Sequence, residues 1–482
     1  MIFRRPYTPR PYAPLAMDFI AERKRCALWA APGMGKTVIS YTYIDALLVA
    51  GLLTKPALVI GPLRVARDTW TDEVQKWEHL RDLETSFIGG TKQQRAAALK
   101  RDVPIFTTNY EQLPWLIDTI GEDNWPFGMV VADESTKLKG YRTQQGGRRS
   151  GALGKVAFKS EYWLNLTGTP APNGLVDLWG QTWFLDEGQR LGRTYTAFVE
   201  RWFYRPPRDG GENEQRQKLI PFRHSEKEIH NALRDLCLTL DPKDWFDIKE
   251  PIVTPVMVKL PPAARKIYDE FERTMYAELA DSIELEVFNA AALTNKCLQI
   301  ANGAVYGGTR QGAATVEEID ECDYRGIHDA KLEALESVMS ELNVPPLIAY
   351  QFRSDKERIL KAFPKIVDLS TKRGMAAFKA GDAPGGVAHP KSMGHGIDGL
   401  QDVTNALIRF GHDWNLEERL QMLERIGPVR QAQSGYDRAV LVFDLIAEDT
   451  IDETVIARHE SKRQVQDLLL EAMKHHRPML AA

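Results

Sequence analysis

Residues 26–37, CALWAAPGMGKT, constrain this chain more than any other stretch. A short apolar run, read as a buried strand, passes without a spacer into a glycine-bearing loop. The loop opens directly into TVISYTYIDALL, read as a helix. A helix that leaves a strand in this way carries the chain back across the sheet, so the next strand pairs in the same direction, and a parallel α/β fold follows. The loop AAPGMGKT (30–37) has the form of a Walker A phosphate cradle, with Ala30 where glycine is usual. Pro32, Gly33, Met34 and Gly35 would wrap the phosphates, the two glycines letting backbone N–H groups turn inward at the positive end of the helix. Lys36 would reach the terminal phosphates, and the Thr37 hydroxyl would hold Mg²⁺.

The strand–helix alternation continues. PALVI (56–60), TSFIG (85–89), VPIFTT (103–108), GMVVA (128–132) and WLNLT (163–167) read as strands, most of them continuous apolar runs of the kind that helices cover on both faces. From 186 to about 343 the reading is largely helical and irregular, with PPAARKIYDEFERTMYAELAD (261–281) as a long helix opening on Pro-Pro. Alternation then returns at PPLIAY (345–350), KIVDLS (365–370), GGVAHP (385–390), NALIRF (405–410) and AVLVFDLIA (439–447), before a closing polar helix from about Thr450 to His475. With 482 residues the chain exceeds one ordinary core, so two α/β lobes with helical insertions between their sheets are expected. No run reaches the length of a membrane span. The four cysteines show no metal-ligand spacing, and a reducing, cytoplasmic setting is expected.

VVADEST (130–136) places two carboxylates at the end of an apolar strand, the edge where α/β sheets bind ligands. Asp133 would hold Mg²⁺ and Glu134 would orient and deprotonate an attacking water. Directly after it, residues 137–159 carry seven Lys or Arg and no acid. Alone, such a stretch reads as a solvated loop or a phosphate-binding one. His389 and His395 read as packing or capping groups, without a metal role.

With these motifs placed, the chain resembles the Swi/Snf-type ATPases of helicase superfamily two. PLRVARDTWTDEVQKW (62–77) is similar to motif Ia, TTNYEQL (107–113) to motif Ib, and DEST stands at motif II. LTGTPAPNGLVDLW (166–179) resembles motif III and its sequel. LPPAARKIYDEF (260–271) resembles the start of the second lobe, LIAYQF (347–352) motif IV, and HPKSMGHGIDGLQ (389–401) motif V, with DWN (413–415) ahead of motif VI. QMLERIGPVRQ (421–431) resembles motif VI, and DTIDE (449–453) with Lys462 the family's closing helix. The resemblance implies two tandem RecA-like doubly wound lobes, 1–240 with a helical protrusion after 185, and 241–482 with a protrusion over 261–343.

It also implies ATP and Mg²⁺ as cofactors, bound where the lobes meet. Arg425 and Arg430 would reach from the second lobe to the γ-phosphate, unless they form an ordinary helix-end ion pair. Arg10, Tyr12, Gly396, Asp398 and Gln421 would contact the nucleotide, while Thr167 and Thr169 would couple hydrolysis to movement. DNA is the implied partner, met through the backbone by Arg64, Thr108, Asn109, Tyr110, Lys137, Lys139, Arg142, Arg148 and Arg149 on the first lobe and by Gln351, Ser392 and Trp414 on the second.

Three departures stand out against the family pattern. Ala13 replaces the glutamine expected near the adenine, Asp398 stands for an asparagine and is followed by an extra glycine, and Pro428 occupies the second arginine slot of motif VI, with Arg430 next. The expectation is an ATP-driven motor on duplex or forked DNA in a bacterial or virus-infected bacterial cell, suited to replication, repair or recombination. A strand-separating or strand-annealing helicase is the near alternative, for which 303–325 is the only wedge candidate. An ATP-controlled switch with little turnover and the ATPase subunit of a restriction-type complex are more distant ones.

Overall fold

A computed structural model describes residues 4–141, 147–206, 219–281, 286–306, 324–393 and 397–474, with the side chains of 274–293 and 463–474 excepted. The chain divides into two units. One runs to Phe246 and takes in the chain from Lys462, and the other is Asp247–Ser461.

The first unit is built on a seven-stranded sheet. Its strands are β1 (Arg25–Ala30), β2 (Ala57–Gly61), β3 (Thr85–Ile88), β4 (Ile105–Asn109), β5 (Met129–Asp133), β6 (Tyr162–Thr167) and β7 (Cys237–Leu240). Their order is β3-β4-β2-β5-β6-β1-β7, and every pairing is parallel. β2, β4, β5 and β6 are buried at every position. Continuous apolar runs could therefore be read as strands here, since neither face is left for polar residues. One face packs Ala27, Trp29, Leu58, Val130 and Trp163 against Leu113, Leu116, Trp179, Trp183 and Phe198 of the covering helices. Helix Tyr12–Arg23 packs on β1 from its own side of the sheet and meets helix Lys36–Val49.

The second unit repeats the plan with six strands. They are β8 (Ile252–Val258), β9 (Leu347–Ala349), β10 (Val367–Asp368), β11 (Gly386–Ala388), β12 (Ala406–Arg409) and β13 (Leu441–Ala447). Their order is β8-β13-β12-β9-β11-β10, again parallel throughout. Alternate residues serve opposite cores. Ile348, Val387 and Ile408 face Leu335, Val338 and Ile359, while Leu347, Ala349, Ala388 and Leu407 face Phe378, Met393 and Met422. Both units are thus doubly wound α/β.

The stretch read as helical and irregular contains a strand of each large sheet, β7 and β8, besides two short antiparallel pairs, which corrects that reading. β7 is only four residues, too short for periodicity to register, and it becomes a strand because the edge of β1 is there to pair with. β8 contains Pro255, a residue that argues against an interior strand. It is tolerated because β8 is an edge and pairs only with β13. The long helix is present as Pro262–Asp281 and the closing helix as Ile451–Lys474. Ala304–Tyr306 pairs antiparallel with Tyr324–Gly326, so the 303–325 candidate has a hairpin base, while 307–323 lies outside the described residues. Among the described residues, no helix is long and apolar enough to cross a membrane.

Candidate functional site

Strand order decides what can meet in the first unit. β1 delivers the Gly-rich loop, β5 ends in Asp133, and β6 lies between them and ends in Thr167. In register, Trp29 stands opposite Thr167, and Leu166 opposite Asp133. Three motifs scattered over 140 residues of sequence therefore share one carboxyl edge, the usual ligand edge of such sheets.

The loop has cradle geometry. Gly33 and Gly35 have φ of +87° and +71°, a region that side chains disfavour. Gly35 turns the chain into helix Lys36–Val49, whose first residue sends its ammonium back to the Ala30 carbonyl at 2.6 Å. The Met34 N–H is committed to the Ala31 carbonyl at 3.2 Å and its side chain is buried, so Met34 shapes the loop from inside. Thr37, half-buried, lies in the first helical turn.

Asp133 is buried at the end of β5. Burial pushes its carboxyl above the usual range, against the Lys36 charge, the Trp70 indole and the Glu134 N–H, which pull it down. The indole Nε1 of Trp70 donates to Oδ2 at 2.9 Å and the Glu134 N–H to Oδ1 at 3.0 Å. An ammonium, a hydroxyl and a buried carboxylate form a donor set that fits a magnesium–nucleotide: Lys36 would hold the phosphates, Thr37 and Asp133 the metal. Glu134 has φ +53° and ψ +55°, a left-handed backbone that costs a non-glycine residue about 1–2 kcal/mol. Strain of this kind at the end of a strand is characteristic of functional positions.

Trp70 did not emerge from the sequence as a site residue. It is fully buried, packs edge-on against Tyr41 at 4.9 Å, and its carbonyl accepts from the Tyr41 hydroxyl at 2.8 Å. The available signal was an indole on an otherwise polar helix, because a buried indole needs an acceptor. Gln181 was also missed. Its buried amide accepts from the Ser135 hydroxyl at 3.0 Å and donates to the Pro170 carbonyl at 2.6 Å, tying DEST to the segment after Thr169. Thr167 and Thr169 are buried and joined by the Thr169 N–H donating to the Thr167 hydroxyl at 3.1 Å.

Gly168 lies against the cradle: a Cβ there would meet Pro32 Cδ at 3.0 Å and the Ala30 carbonyl at 3.2 Å. Gly168→Ala should therefore push on the cradle, with a stability loss of about 1–3 kcal/mol and kcat/KM for ATP lower by about 10-fold. Thermal melting and steady-state kinetics check both. Full activity would show that the loop yields without consequence.

Several sequence-assigned contacts have other partners in the structure. Tyr12 is buried with Trp245 edge-on at 5.5 Å, so its ring is a core element and not a surface for a base. Arg10 remains exposed, over the Phe246 ring at 5.5 Å. Thr108 is buried with its hydroxyl on the Ile88 carbonyl at 2.9 Å, and the Tyr110 hydroxyl donates to the Asp133 carbonyl at 2.8 Å. Asn109 is buried and its amide donates to Glu111 at 2.7 Å. These three side chains brace the edge from within. Arg64 is exposed.

The basic stretch is largely neutralised in three dimensions. Lys139 pairs with Asp177 at 3.4 Å, Arg149 with Glu111 at 2.7 Å, Lys155 with Glu122 at 2.8 Å and Lys159 with Asp123 at 2.9 Å. Lys137 and Arg148 are exposed and have no acidic partner among the described residues. Arg142, like Gly396 and His395, lies outside the described residues.

In the second unit, the helix of motif VI is Leu416–Glu424, capped by Asn415, whose side chain accepts from the N–H groups of Glu417 and Glu418. Such a cap contributes about 1 kcal/mol. Gln421 donates to Glu417 at 3.2 Å along the same helix. Arg425 follows it, buried, with one N–H on the Ile397 carbonyl at 3.4 Å. Arg430, on helix Pro428–Gln433, pairs with Asp398. Gln351 and Trp414 are half-buried, the latter with Arg458 over its ring at 5.7 Å. The Ser392 hydroxyl donates to the His389 carbonyl at 2.7 Å, and His389 Nδ1 accepts from the Lys391 N–H, so His389 caps a short helix. Lys462 lies on the closing helix.

A family profile described as "SNF2-related domain" matches residues 21–302. The protein p41 of Acyrthosiphon pisum secondary endosymbiont phage 1 is 48% identical over 472 residues, covering 97% of this chain and 99% of that protein. The ISWI chromatin-remodeling complex ATPase ISW1 of Saccharomyces cerevisiae is 20% identical across 91% of this chain, which spans only 38% of its length. Among solved structures, the Sulfolobus solfataricus SWI2/SNF2 ATPase core in complex with dsDNA is matched over 98% of this chain and 95% of that one, at 21% identity and a TM-score of 0.44. On the extent of the profile and the near full-length phage relative, the chain belongs to the SNF2-related family of ATPases.

Proposed function

We propose that this chain is an ATP-driven motor that moves on duplex or forked DNA. The observation that carries the reading is the shared sheet edge of the first unit, where the cradle, the Asp133–Glu134 pair and the Thr167–Thr169 turn stand on β1, β5 and β6 with Gly168 against the loop. Lys36 would bind the phosphates, Thr37 and Asp133 the metal, and Glu134 would take the proton of the attacking water. A bound metal would neutralise charge on the phosphates. Arg425 and Arg430 of the second unit would meet the γ-phosphate during turnover, which makes hydrolysis conditional on the arrangement of the two units.

Membership among SNF2-related ATPases, with a chromatin-remodeling ATPase as a distant relative, supports DNA as the track. The exposed Arg64, Lys137 and Arg148 of the first unit, with Gln351, Ser392 and Trp414 of the second, are the proposed backbone contacts, carrying little sequence information.

Steady-state ATP hydrolysis with no nucleic acid, single-stranded DNA, duplex, fork and RNA tests the reading. Stimulation of at least about 10-fold by duplex or fork is expected. ATP binding with flat, negligible turnover on every substrate would replace the motor by a switch. Stimulation by RNA alone would change the track.

A further inference from the structure

Two of the departures from the family pattern contact each other. Asp398, where an asparagine is usual, forms an ion pair with Arg430, the arginine displaced beyond Pro428. The residue before Asp398 holds the other arginine, through the Ile397 carbonyl and Arg425. Consecutive residues of one loop thus hold both arginines of motif VI.

The loop is fastened to the arginine helix at further points. Gln401 donates to the Ser434 hydroxyl at 3.3 Å, just past helix Pro428–Gln433. Arg438 donates to the Gln401 carbonyl at 2.7 Å and to the Gln431 side chain at 2.9 Å, and Gln431 donates in turn to the carbonyls of Thr404 and Ile426, both at 3.0 Å. Gly399, the added residue, has φ +84°, which lets the chain turn directly after Asp398. Asp398 itself is 71% exposed at its side chain and Arg430 13%. The carboxylate is therefore accessible, while the guanidinium is largely enclosed.

We propose that Asp398 is a positioning residue for Arg430 and not a nucleotide ligand. A guanidinium has five N–H donors in a planar fork, so a carboxylate on one edge fixes its plane and leaves another edge for an anion. The carboxylate replaces the geometric control lost when Pro428 took the regular arginine slot. The loop 397–401 and helix Pro428–Gln433 then present Arg425 and Arg430 as one piece. This inference rests on the proposed function, because it needs an anion for the arginines to meet.

The test is ATP hydrolysis by the full chain carrying Asp398→Ala, Asp398→Asn, Arg430→Ala, or Asp398→Ala with Arg430→Ala. Asp398→Ala should lower kcat by about 10-fold, with KM for ATP within about 2-fold, as expected for a misplaced group that does not bind the ground state. In the Arg430→Ala background the same change should cost nothing further, since the group it positions is gone. Asp398→Asn keeps an acceptor without the charge and should fall between. It carries the test if the alanine variant melts at a lower temperature. A loss confined to KM would make Asp398 a nucleotide ligand, and fully multiplicative losses would make the two residues independent. Either overturns the proposal. No hydrolysis by the parent chain on any substrate would overturn the motor reading instead, whereas normal hydrolysis by parent and Asp398→Ala alike overturns only this one.

Discussion

Glu134→Gln should lower ATP turnover by about 10²–10⁴-fold and leave ATP binding within about 3-fold. The two carboxylates of DEST are not equivalent. Both Asp133 oxygens accept hydrogen bonds, from Trp70 and from the Glu134 N–H, so the buried carboxyl is held in place, as the proposed metal ligand would need to be. Glu134 is half-buried, and its left-handed backbone breaks the extended run of β5 directly after Asp133. Its amide analogue keeps the shape and removes the base. Phosphate release measures turnover, and titration with a fluorescent ATP analogue measures binding. Turnover within a few-fold of the parent would remove Glu134 from the chemistry.

The second large effect concerns stability. Lys331 and Asp452 form an ion pair at 2.6 Å with both side chains fully buried. Lys331 also donates to Asn302 at 2.8 Å, Asn302 to Asp355 at 2.9 Å, and the Ala447 N–H to Asp452 at 3.1 Å. Nearby, burial pushes His412 down to about 4, so with Lys331 in place the imidazole is neutral at pH 7. Lys331→Met leaves a carboxylate buried without its counter-ion and should destabilise the second unit by about 3–5 kcal/mol. Adding Asp452→Leu should recover more than half of that, because a well-packed apolar pair is nearly equivalent to the ion pair it replaces. Urea unfolding of the three proteins decides. A single-variant loss below about 1 kcal/mol would mean that water reaches the pair.

The sequence carried the sheet strands of both units wherever helices cover both faces, because burial on both sides leaves only apolar residues. β7 and β8 escaped for opposite reasons: one is too short to show a period, and the other carries a proline that only an edge accepts. Motifs whose chemistry sits in contiguous residues, such as the cradle and DEST, could be read directly. Contacts between distant residues could not. Nothing in the linear text links Trp70 to Asp133, or Asp398 to Arg430. The acid-free run 137–159 looked like a cationic surface because its neutralising partners, Glu111, Glu122, Asp123 and Asp177, precede or follow it in the chain. In sequence, Tyr12 reads as a nucleotide contact and Tyr110 as a DNA-backbone contact, and only burial shows that both pack inside.

The place of β1 in its sheet sets an order of events during synthesis. The strand that ends in the cradle is made well before its neighbours β6 and β7, so it stays without a lateral partner until β6, which ends at Thr167, has left the ribosome. At about 5–20 residues per second, this leaves an apolar strand unpaired for roughly 7–27 seconds, a window in which it can pair wrongly or be held by a chaperone. Native pairing at such long sequence separation is slow. Nascent chains arrested before β6 should be unable to retain ATP, and the cradle becomes competent late, when most of the first unit already exists.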